Sequence, residues 1–400
     1  MVNGEDLIKP MRDRKFRPGT WLALLVMILM PLLTGCDLPQ VSAEERIFLN
    51  LNLDFLGEYQ LPKQKFQDTP VGGLSGITYD RQRNLFYVVS DDRSDFAPAR
   101  FYTLKMALDS SNPKAPKIQK IDIQSVTTIT NEDGKPYPKG EVDPEGIALS
   151  PLGTLFISSE GIAPKEIPPF VREFELQTGQ WKRNLVIPKR YAPKLEQSKL
   201  VQGVGDNLGF EALTLGGISP GAIEPFRLFT ATESALTQDA SPDHPQQGAS
   251  RNRWLHYSID PDHSLLVSEQ LYPMETPPEG ALYHGLTEIL AIDQGGHFLS
   301  LERSFGANGF SVKLFQLSIG SATDTSKIET FRGALPGVQP IRKKLLLDLT
   351  QLGIPLDNLE GMTLGPQLPD GSPSLILISD DNFNPKQVSQ VLLFRFRKGA

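Results

Sequence analysis

The sequence predicts an all-β protein, a β-propeller-like fold with at least five repeated blades, on three observations. A hairpin-like unit recurs five times, its strand segments are short apolar runs without helical periodicity, and the intervening turns carry Gly, Asn, Asp and Pro. Apolar runs of this length between turn residues are typical of strands. A regular repeat of strand pairs indicates a radial architecture, because each repeat buries its apolar faces against its neighbours.

The repeat consists of an apolar segment, a turn and a second apolar segment that ends in an acidic residue. We take five residues as equivalent: Ser75, Glu145, Glu211, Glu288 and Glu360. They lie 66 to 77 residues apart, so each repeat is larger than the ~40 to 45 residues of a minimal blade. The strand-like segments 53–61 and 391–397 stand at opposite ends of the chain, and we expect them to share one blade and close the ring.

The first 50 residues carry export signals instead of a strand repeat. Basic residues precede the uncharged segment 21–33, which is shorter than the roughly 20 residues of a membrane-spanning helix and has the layout of a signal peptide. The segment Leu33-Thr34-Gly35-Cys36 resembles a bacterial lipobox, with a chance cysteine after an ordinary signal peptide as the alternative. We therefore expect a signal peptide (1–35), a lipidated Cys36 with a tether (36–50) and a propeller domain (51–400), exported and anchored by lipid to the cell envelope, at the periplasm or the cell surface.

Composition excludes several classes of site in the processed chain. Cys36 is the only cysteine, so no disulfide, thiol nucleophile or thiolate zinc site is available. Removal of residues 1–35 takes away five of the 40 basic and three of the 47 acidic residues and leaves a net charge of −9. No basic patch suggests a nucleic-acid partner. We expect a monomer whose contact with the membrane is the lipid on Cys36, and the acidic balance favours divalent cations as partners.

Acidic residues recur at two places in the repeat, and propeller geometry predicts that they meet. The innermost strands of all blades run along one central channel, so equivalent strand ends converge at one mouth of it. Carboxylates at close range raise one another's pKa and call for a cation, and ligands that offer only oxygen suit calcium or magnesium better than zinc or copper. We predict a Ca²⁺ site with these candidate ligands: Asp91, Asp92, Glu145, Glu160, Glu211, Glu233, Glu288, Glu360, Asp380 and Asp381. The alternative is that these acids form turns by accepting backbone hydrogen bonds.

Several short blocks also resemble a known family. They are Gly-Leu-Ser-Gly-Ile (73–77) with Val-Ser-Asp-Asp-Arg (89–93), Asp-Pro-Glu-Gly-Ile (143–147), Gly-Phe-Glu-Ala-Leu (209–213), Leu-Glu-Arg (301–303), and Asn-Leu-Glu-Gly-Met (358–362) with Ser-Asp-Asp-Asn-Phe (379–383). The blocks are similar to those of the phytase-like domain family (esterase-like activity of phytase), over roughly residues 53–397. The resemblance implies a secreted or surface-attached β-propeller that hydrolyses phosphate esters such as phytate. Ala212 departs from the glycine usual at its place.

For a calcium-dependent phosphomonoesterase acting on a phosphorylated small molecule, we predict four catalytic residues: Glu302, Arg303, Arg93 and His284. The planar fork of arginine suits phosphate, although each arginine could instead pair with the acid that precedes it. His284 is a candidate acid or base, with a hydrogen-bonded structural role as its alternative. Ser75 is not predicted to be a nucleophile, because the Gly-x-Ser-x-Gly spacing is absent around it.

A second class of function is open from the sequence. The chain could be a non-catalytic, lipid-anchored propeller that binds a ligand or a protein and uses calcium only to make its channel rigid. The fold does not decide between the two, because propellers host many functions. Open coordination positions facing arginines would favour catalysis, and acids fully satisfied by backbone amides would favour the structural role.

Overall fold

The structure is a computed structural model that describes residues 47–216, 225–240 and 249–399. The expected signal peptide and Cys36 lie outside the described residues. Within the described part, five four-stranded antiparallel sheets form the blades of a propeller. The predicted fold class of at least five blades is therefore confirmed, and the structure sets the number at five. No helix in this part of the chain is both long and apolar enough to cross a membrane.

Each blade is a meander in which sequential strands pair with one another. Blade 1 consists of Leu74–Asp80, Leu85–Ser90, Arg100–Asp109 and Lys117–Thr128. Blade 2 consists of Pro144–Leu149, Thr154–Ser159, Phe170–Glu175 and Trp181–Asn184. Blade 3 consists of Phe210–Gly216, Phe226–Thr232, Arg251–Ile259 and Ser264–Pro273. Blade 4 consists of Ala281–Ala291, His297–Gly306, Gly309–Ser318 and Arg342–Asp348.

Blade 5 joins the two ends of the chain. Its strands are Asn358–Gln367, Pro373–Asp380, Ser389–Lys398 and Leu51–Leu61. The last of these comes from the amino-terminal end and pairs antiparallel with Ser389–Lys398, from Leu51 opposite Lys398 to Leu61 opposite Ser389. The predicted closure of the ring is therefore confirmed. Because the two ends of the chain share one sheet, the ring closes without a gap between the first and the last blade.

A few short elements decorate the blades. In the ranges that the structure describes, two hairpins stand outside the main sheets: Gln64–Phe66 with Thr69–Val71, and Lys194–Glu196 with Lys199–Gln202. In the same ranges, three single-turn 3₁₀ helices lie in connections: Ala163–Lys165, Lys189–Tyr191 and Leu349–Leu352. The turns within blades use the predicted chemistry. Asp80, for example, accepts from the backbone N–H groups of Gln82 and Arg83 and so holds the first turn of blade 1.

The apolar core is divided into five clusters, one at each junction between neighbouring blades. Alternation along the strands produces this arrangement, because successive side chains point to opposite faces of a sheet. In blade 1, Phe86 and Val88 pack toward blade 5, whereas Tyr87 and Val89 pack toward blade 2. Both faces of each sheet are buried, so the strands read as continuous apolar runs and not as an apolar–polar alternation.

The first strand of every blade is innermost and packs beside the first strands of its neighbours around the axis. In all five blades the pairing of the first two strands is interrupted by a bulge, which lies near the start of the first strand in four blades and at its middle in blade 4. Glycine lets the inner strands approach at this point: a Cβ on Gly361 would lie 2.6 Å from the carbonyl oxygen of Ser75, and one on Gly146 would lie 2.7 Å from that of Glu211.

Candidate functional site

The five bulges align the blades by register and define two sets of equivalent residues. We call the bulged residue of the first strand the bulge position; its occupants in blades 1 to 5 are Ser75, Glu145, Glu211, Thr287 and Glu360. The residue just before the bulge position pairs with a residue of the second strand, and we call the next residue along that second strand the rim position. In blade 1, for example, Leu74 pairs with Ser90, so Asp91 occupies the rim position. The occupants in blades 1 to 5 are Asp91, Glu160, Glu233, Arg303 and Asp380.

Blade 4 therefore corrects the sequence alignment by one residue. Leu286 pairs with Glu302, so the equivalents are Thr287 and Arg303, and not Glu288 and Glu302. A shift of one residue matters because it turns a side chain to the opposite face of the strand. The ring of acids predicted from the repeat is thus broken in blade 4, where a hydroxyl replaces one carboxylate and an arginine replaces the other.

The remaining acids converge at one mouth of the channel. We call eight of them the acidic cluster: Asp91, Asp143, Glu145, Glu160, Glu211, Glu233, Glu360 and Asp380. Three overlapping triads have carboxylate oxygens within 4.8 Å of one another: Asp91 with Asp143 and Glu145, Glu145 with Glu211 and Glu360, and Glu160 with Glu211 and Glu233. Asp91 is partly exposed, whereas the other seven are buried, so solvent reaches the cluster on the Asp91 side.

Burial raises the pKa of all eight carboxyl groups, and loss of hydration is the largest cause in every case. Repulsion between members of the cluster raises the pKa further for six of them, which are Asp91, Glu145, Glu160, Glu211, Glu360 and Asp380. For Glu145, this repulsion comes first from the charges of Asp91 and Glu211. The pKa of Glu360 rises to about 7, although neighbouring Arg303 lowers it. A cluster in this condition gains by taking up protons or a cation.

Two arginines balance part of this charge. Arg303 donates to Glu233 Oε1 at 2.8 Å and to Asn358 Oδ1 at 2.6 Å, and it lies 3.5 Å from Glu360 Oε1. Arg93 binds Asp143 through both arms of its guanidinium, with Nε 2.7 Å from Oδ1, and also donates to Asn207. Both predicted arginines therefore lie beside the cluster. Two cations against eight carboxylates leave a surplus of negative groups.

The chemistry of the cluster fits a hard divalent cation such as calcium. Every ligand atom in the three triads is a carboxylate oxygen, which is the ligand type that calcium prefers. Glu160 Oε1 accepts from the backbone N–H of Gly209 at 2.7 Å, but its buried Oε2 has no hydrogen-bond partner among the described residues. A buried carboxylate oxygen without a partner is costly, and a bound cation would satisfy it.

Three predicted ligands are instead satisfied by the protein. Asp92 accepts from the backbone N–H groups of residues 95–97 and pairs with the fully buried Arg100 at 2.7 Å. Asp381 accepts from the N–H groups of Gly73 and Phe383. Glu288 accepts from those of Leu213 and Ile289. The turn-forming alternative thus describes these three acids, and none of them belongs to the triads.

Glu302 and His284 also lie outside the acidic cluster. Glu302 is turned toward the outer strands, where it accepts from Tyr272 at 2.6 Å, pairs with Lys343 and accepts from the N–H of Glu275. His284 Nδ1 lies 2.8 Å from Ser304 Oγ and its Nε2 lies 3.1 Å from the carbonyl oxygen of Glu275. Burial lowers the pKa of His284 and favours the neutral ring. The partners of both side chains favour structural roles over the predicted catalytic ones.

Asp143 was missing from the predicted ligands. It lies two residues before the bulge position of blade 2, where the other blades have glycine or asparagine, so the repeat gives no signal for an acid there. What could have indicated Asp143 as a ligand is its place in the sequence, directly before Pro144 and the predicted ligand Glu145. Its carboxylate joins Asp91 and Glu145 in the first triad.

The adjacent acids Asp91 and Asp92 should respond in opposite ways to the same substitution. Asp92→Asn should lower the free energy of unfolding by about 2–3 kcal/mol, because it leaves the buried Arg100 without its anion. Asp91→Asn should raise the stability of the metal-free protein, because it removes one of several repelling charges. Urea unfolding in the presence of a chelator measures both. Destabilisation of equal size by the two variants would contradict the assignment of Asp91 to the cluster.

A cavity of about 550 Å³ is lined by residues that neighbour members of the acidic cluster along the chain. We call it the side pocket. It lies between the hairpin formed by 194–196 and 199–202 and the start of blade 4, and its wall includes Leu200, Leu208, Ala235, Leu282 and Tyr283. Its lining also contains Ser234, the residue that follows Glu233. The cluster and the side pocket thus share one end of the propeller.

Comparison with known proteins places the chain in a family. A family model described as Phytase-like, esterase-like activity of phytase, matches residues 69–383. A search of curated proteins found no match. Similar solved structures include an endo-arabinase from Bacteroides thetaiotaomicron, at 11% identity over 80% of this chain and 93% of that chain with a TM-score of 0.42. The N-terminal domain of Nup159 matches at 11% identity (87% and 96%, TM-score 0.31), and Kuenenia stuttgartiensis hydrazine synthase matches at 9% identity (80% and 80%, TM-score 0.29).

Proposed function

The chain belongs to the phytase-like family, and from this premise we propose that it hydrolyses phosphate monoesters at the acidic cluster with calcium as its cofactor. The observation that carries the proposal is the convergence of eight carboxylates with raised pKa values around the unpaired Glu160 Oε2. Such a cluster needs a cation, and a phosphate ester needs one too, because its own charge would otherwise be repelled by the carboxylates.

Calcium would be held by the acids of the three triads, which are Asp91, Asp143, Glu145, Glu160, Glu211, Glu233 and Glu360. When bound, calcium would attract the phosphate oxygens and lower the pKa of an attacking water. The chain's own groups prepare the site. Arg303 holds Glu233 and Glu360 in position through ion pairs. Arg93 exposes 26% of its side chain beside Asp143 and is placed to donate to a phosphate oxygen that arrives from solvent.

The proposed reaction consumes one water and one ester. The oxygen of water forms a bond to phosphorus, and the bond between phosphorus and the ester oxygen breaks. The proton that the water loses passes to the leaving oxygen, so the products are inorganic phosphate and an alcohol or phenol. Seven of the eight carboxylates are buried, which limits the access of bulk water to the reacting phosphate.

Phosphate release from phytate and from 4-nitrophenyl phosphate, with calcium or with chelator, tests the proposal on the purified protein. Chelation should abolish release, and Glu211→Gln should lower it by about 100-fold or more, in the range observed when a group essential for the transition state is lost. Glu196→Gln is the matched control, because Glu196 is exposed and pairs only with Lys194 at the surface. Release that persists in chelator would overturn the calcium assignment.

One observation favours the non-catalytic alternative. Arg93 and Arg303 both spend hydrogen bonds on carboxylates of the cluster, so neither guanidinium is fully available to a phosphate. In that case calcium would only make the channel rigid for the binding of a ligand or protein. Absence of phosphate release from every substrate, combined with a large calcium-dependent rise in melting temperature, would establish this second function.

We also propose that the protein is exported and anchored to the cell envelope by lipid on Cys36. The support is the basic and apolar layout of residues 1–35 and the lipobox-like Leu33-Thr34-Gly35-Cys36. Stable attachment needs more than one acyl chain, as lipoprotein processing would supply. Cys36→Ser should abolish incorporation of labelled palmitate and release the protein into the soluble fraction. Incorporation that survives the substitution would refute the anchor.

A further inference from the structure

The side pocket is joined to the acidic cluster through two continuous pieces of backbone. On one side, Leu208 of the pocket wall precedes Gly209, whose N–H donates to Glu160 Oε1 at 2.7 Å. On the other side, Ser234 of the wall follows Glu233. Glu160 and Glu233 belong to the triad that contains the unpaired carboxylate oxygen. A molecule held at this triad would therefore have the side pocket next to it.

The lining of the side pocket is mostly apolar. Its polar exceptions are few and are largely used by the protein itself. Arg332 donates to the carbonyl oxygens of Ala240 and Thr237, and both ring nitrogens of His284 have partners. Among the lining residues that the structure describes, Lys199 is the one remaining cation. A pocket of this volume and character suits an apolar group of moderate size.

The mouth of the side pocket carries two large exposed apolar side chains. Leu282 and Tyr283 are adjacent at the start of blade 4, and each exposes 64% of its surface. Adjacent residues of a regular strand point to opposite faces, but the pairing register shifts between Ala281 and Tyr283 and interrupts this alternation. Both Leu282 and Tyr283 line the pocket. Exposed apolar groups beside a cavity are typical of ligand-binding sites.

The charge around the site disfavours a polyphosphorylated substrate. Each phosphate group beyond the one at the cluster would need its own cations. The two arginines at the cluster are bound to carboxylates, and the side pocket offers Lys199 and the already engaged Arg332. Several phosphates on one ring would therefore lie in an apolar cavity or beside unneutralised acids.

We propose that the side pocket binds the apolar leaving group of a phosphate monoester whose phosphate lies at the acidic cluster, so that the preferred substrates are aryl or similarly apolar monoesters. This inference rests on the proposed function and deepens it. It names the substrate class from the chemistry of the cavity. A substrate with a small polar leaving group would use the cluster alone and would lose the contacts of the pocket.

The test compares 2-naphthyl phosphate, glycerol phosphate and phytate on the calcium-loaded protein. Naphthyl phosphate should have the highest kcat/KM. Leu282→Ser and Tyr283→Ser should each lower its kcat/KM by about 10-fold, the scale of a lost apolar contact, and leave that of glycerol phosphate unchanged. Leu265→Ser is the matched control, because Leu265 exposes 65% of its surface on an outer strand of blade 3, away from the pocket. A preference for phytate, or equal effects on both monoesters, would overturn the inference.

A binding measurement separates this inference from the proposed function. Equilibrium binding of 2-naphthol to the protein, followed by its fluorescence, needs no catalysis. If Leu282→Ser weakens naphthol binding and Leu265→Ser does not, the apolar pocket is supported. This holds even if no substrate releases phosphate, and then only the hydrolase proposal fails. Absence of naphthol binding in a protein that releases phosphate would overturn the pocket and leave the hydrolase proposal standing.

Discussion

Calcium should raise the free energy of unfolding by about 3–4 kcal/mol at pH 7.5, at a calcium concentration of several hundred times Kd, and by much less at pH 5. The reason is that protons and calcium compete for the same carboxylates. Glu360, whose pKa rises to about 7, already holds its proton in the folded state at pH 5 and has largely lost it at pH 7.5. The raised pKa values of the other carboxyl groups of the cluster act in the same direction. Melting curves across this pH range, with calcium or with chelator, measure the difference.

The sign of the pH effect follows from the direction of the shifts. A carboxyl group whose folded-state pKa is raised binds its proton more tightly in the folded protein, so it contributes stability at low pH and loses that contribution as pH rises through the folded pKa. For Glu360 the loss extends from its ordinary value of 4.5 to about 7. The chelated protein should therefore become less stable over this interval, and calcium should flatten the dependence.

The double variant Glu160→Gln, Glu211→Gln serves as the control for this first prediction. It keeps the shape of the cluster and removes two of the charges that repel one another. The chelated variant should be less sensitive to pH than the chelated wild type and should gain little from calcium. A wild-type melting temperature at pH 7.5 that is the same with calcium and with chelator would show that the cluster does not bind this metal.

The second large effect is expected at Arg303. Replacement by Gln should lower the free energy of unfolding in chelator by about 3–5 kcal/mol, because removal of one partner from a buried ion pair leaves the other charge uncompensated. Glu233 and Glu360 both lose their cation in this variant. Urea unfolding at pH 7.5 is the measurement, since the carboxylates are most nearly ionised there.

Calcium and a conservative variant distinguish charge from shape at Arg303. Arg303→Lys keeps one positive charge and should cost less than Arg303→Gln, although it loses the fork that reaches Glu233 and Asn358 together. Calcium should stabilise Arg303→Gln more than the wild type, because the cation replaces the missing charge. An Arg303→Gln protein that is as stable as the wild type in chelator would show that the arginine does not neutralise the cluster.

The repeat was sufficient to predict the blades, the closure of the ring and the meeting of most acids. It failed in blade 4, where glutamates at 288 and 302 matched the pattern by residue type although the bulge places Thr287 and Arg303 at the equivalent positions. Residue type alone does not report a bulge, since a bulge is a property of pairing between two strands. From the sequence, Arg303 is only the residue after a predicted acid of the ring. In the structure, Arg303 itself occupies the rim position, where the other blades have an acid.

The fate of the second acid in each Asp-Asp pair was also beyond the sequence. Asp91 and Asp380 interact electrostatically with the cluster, although Asp380 also accepts the N–H of Asn382 at 2.7 Å. Asp92 and Asp381 accept backbone N–H groups from the loops that follow and lie outside the cluster. Which carboxylate a loop uses depends on its backbone path, as with Asn382 and Phe383, which adopt left-handed conformations after Asp381. Short polar side chains accept local N–H groups readily, so both outcomes are compatible with the same letters.

The shared blade makes completion of the ring a late event. Gln390, in the strand Ser389–Lys398, donates a hydrogen bond to Glu58, in the amino-terminal strand Leu51–Leu61, and the two residues are 332 positions apart in the sequence. Contacts between residues so far apart in sequence form slowly, because the chain loses the entropy of loop closure before the contact contributes any stabilising free energy. During synthesis the first strand waits unpaired until almost the whole chain has been made. A chain that stops short of Ser389 leaves Leu51–Leu61 and Pro373–Asp380 as open sheet edges, so premature termination should produce an aggregation-prone molecule and not a smaller working one.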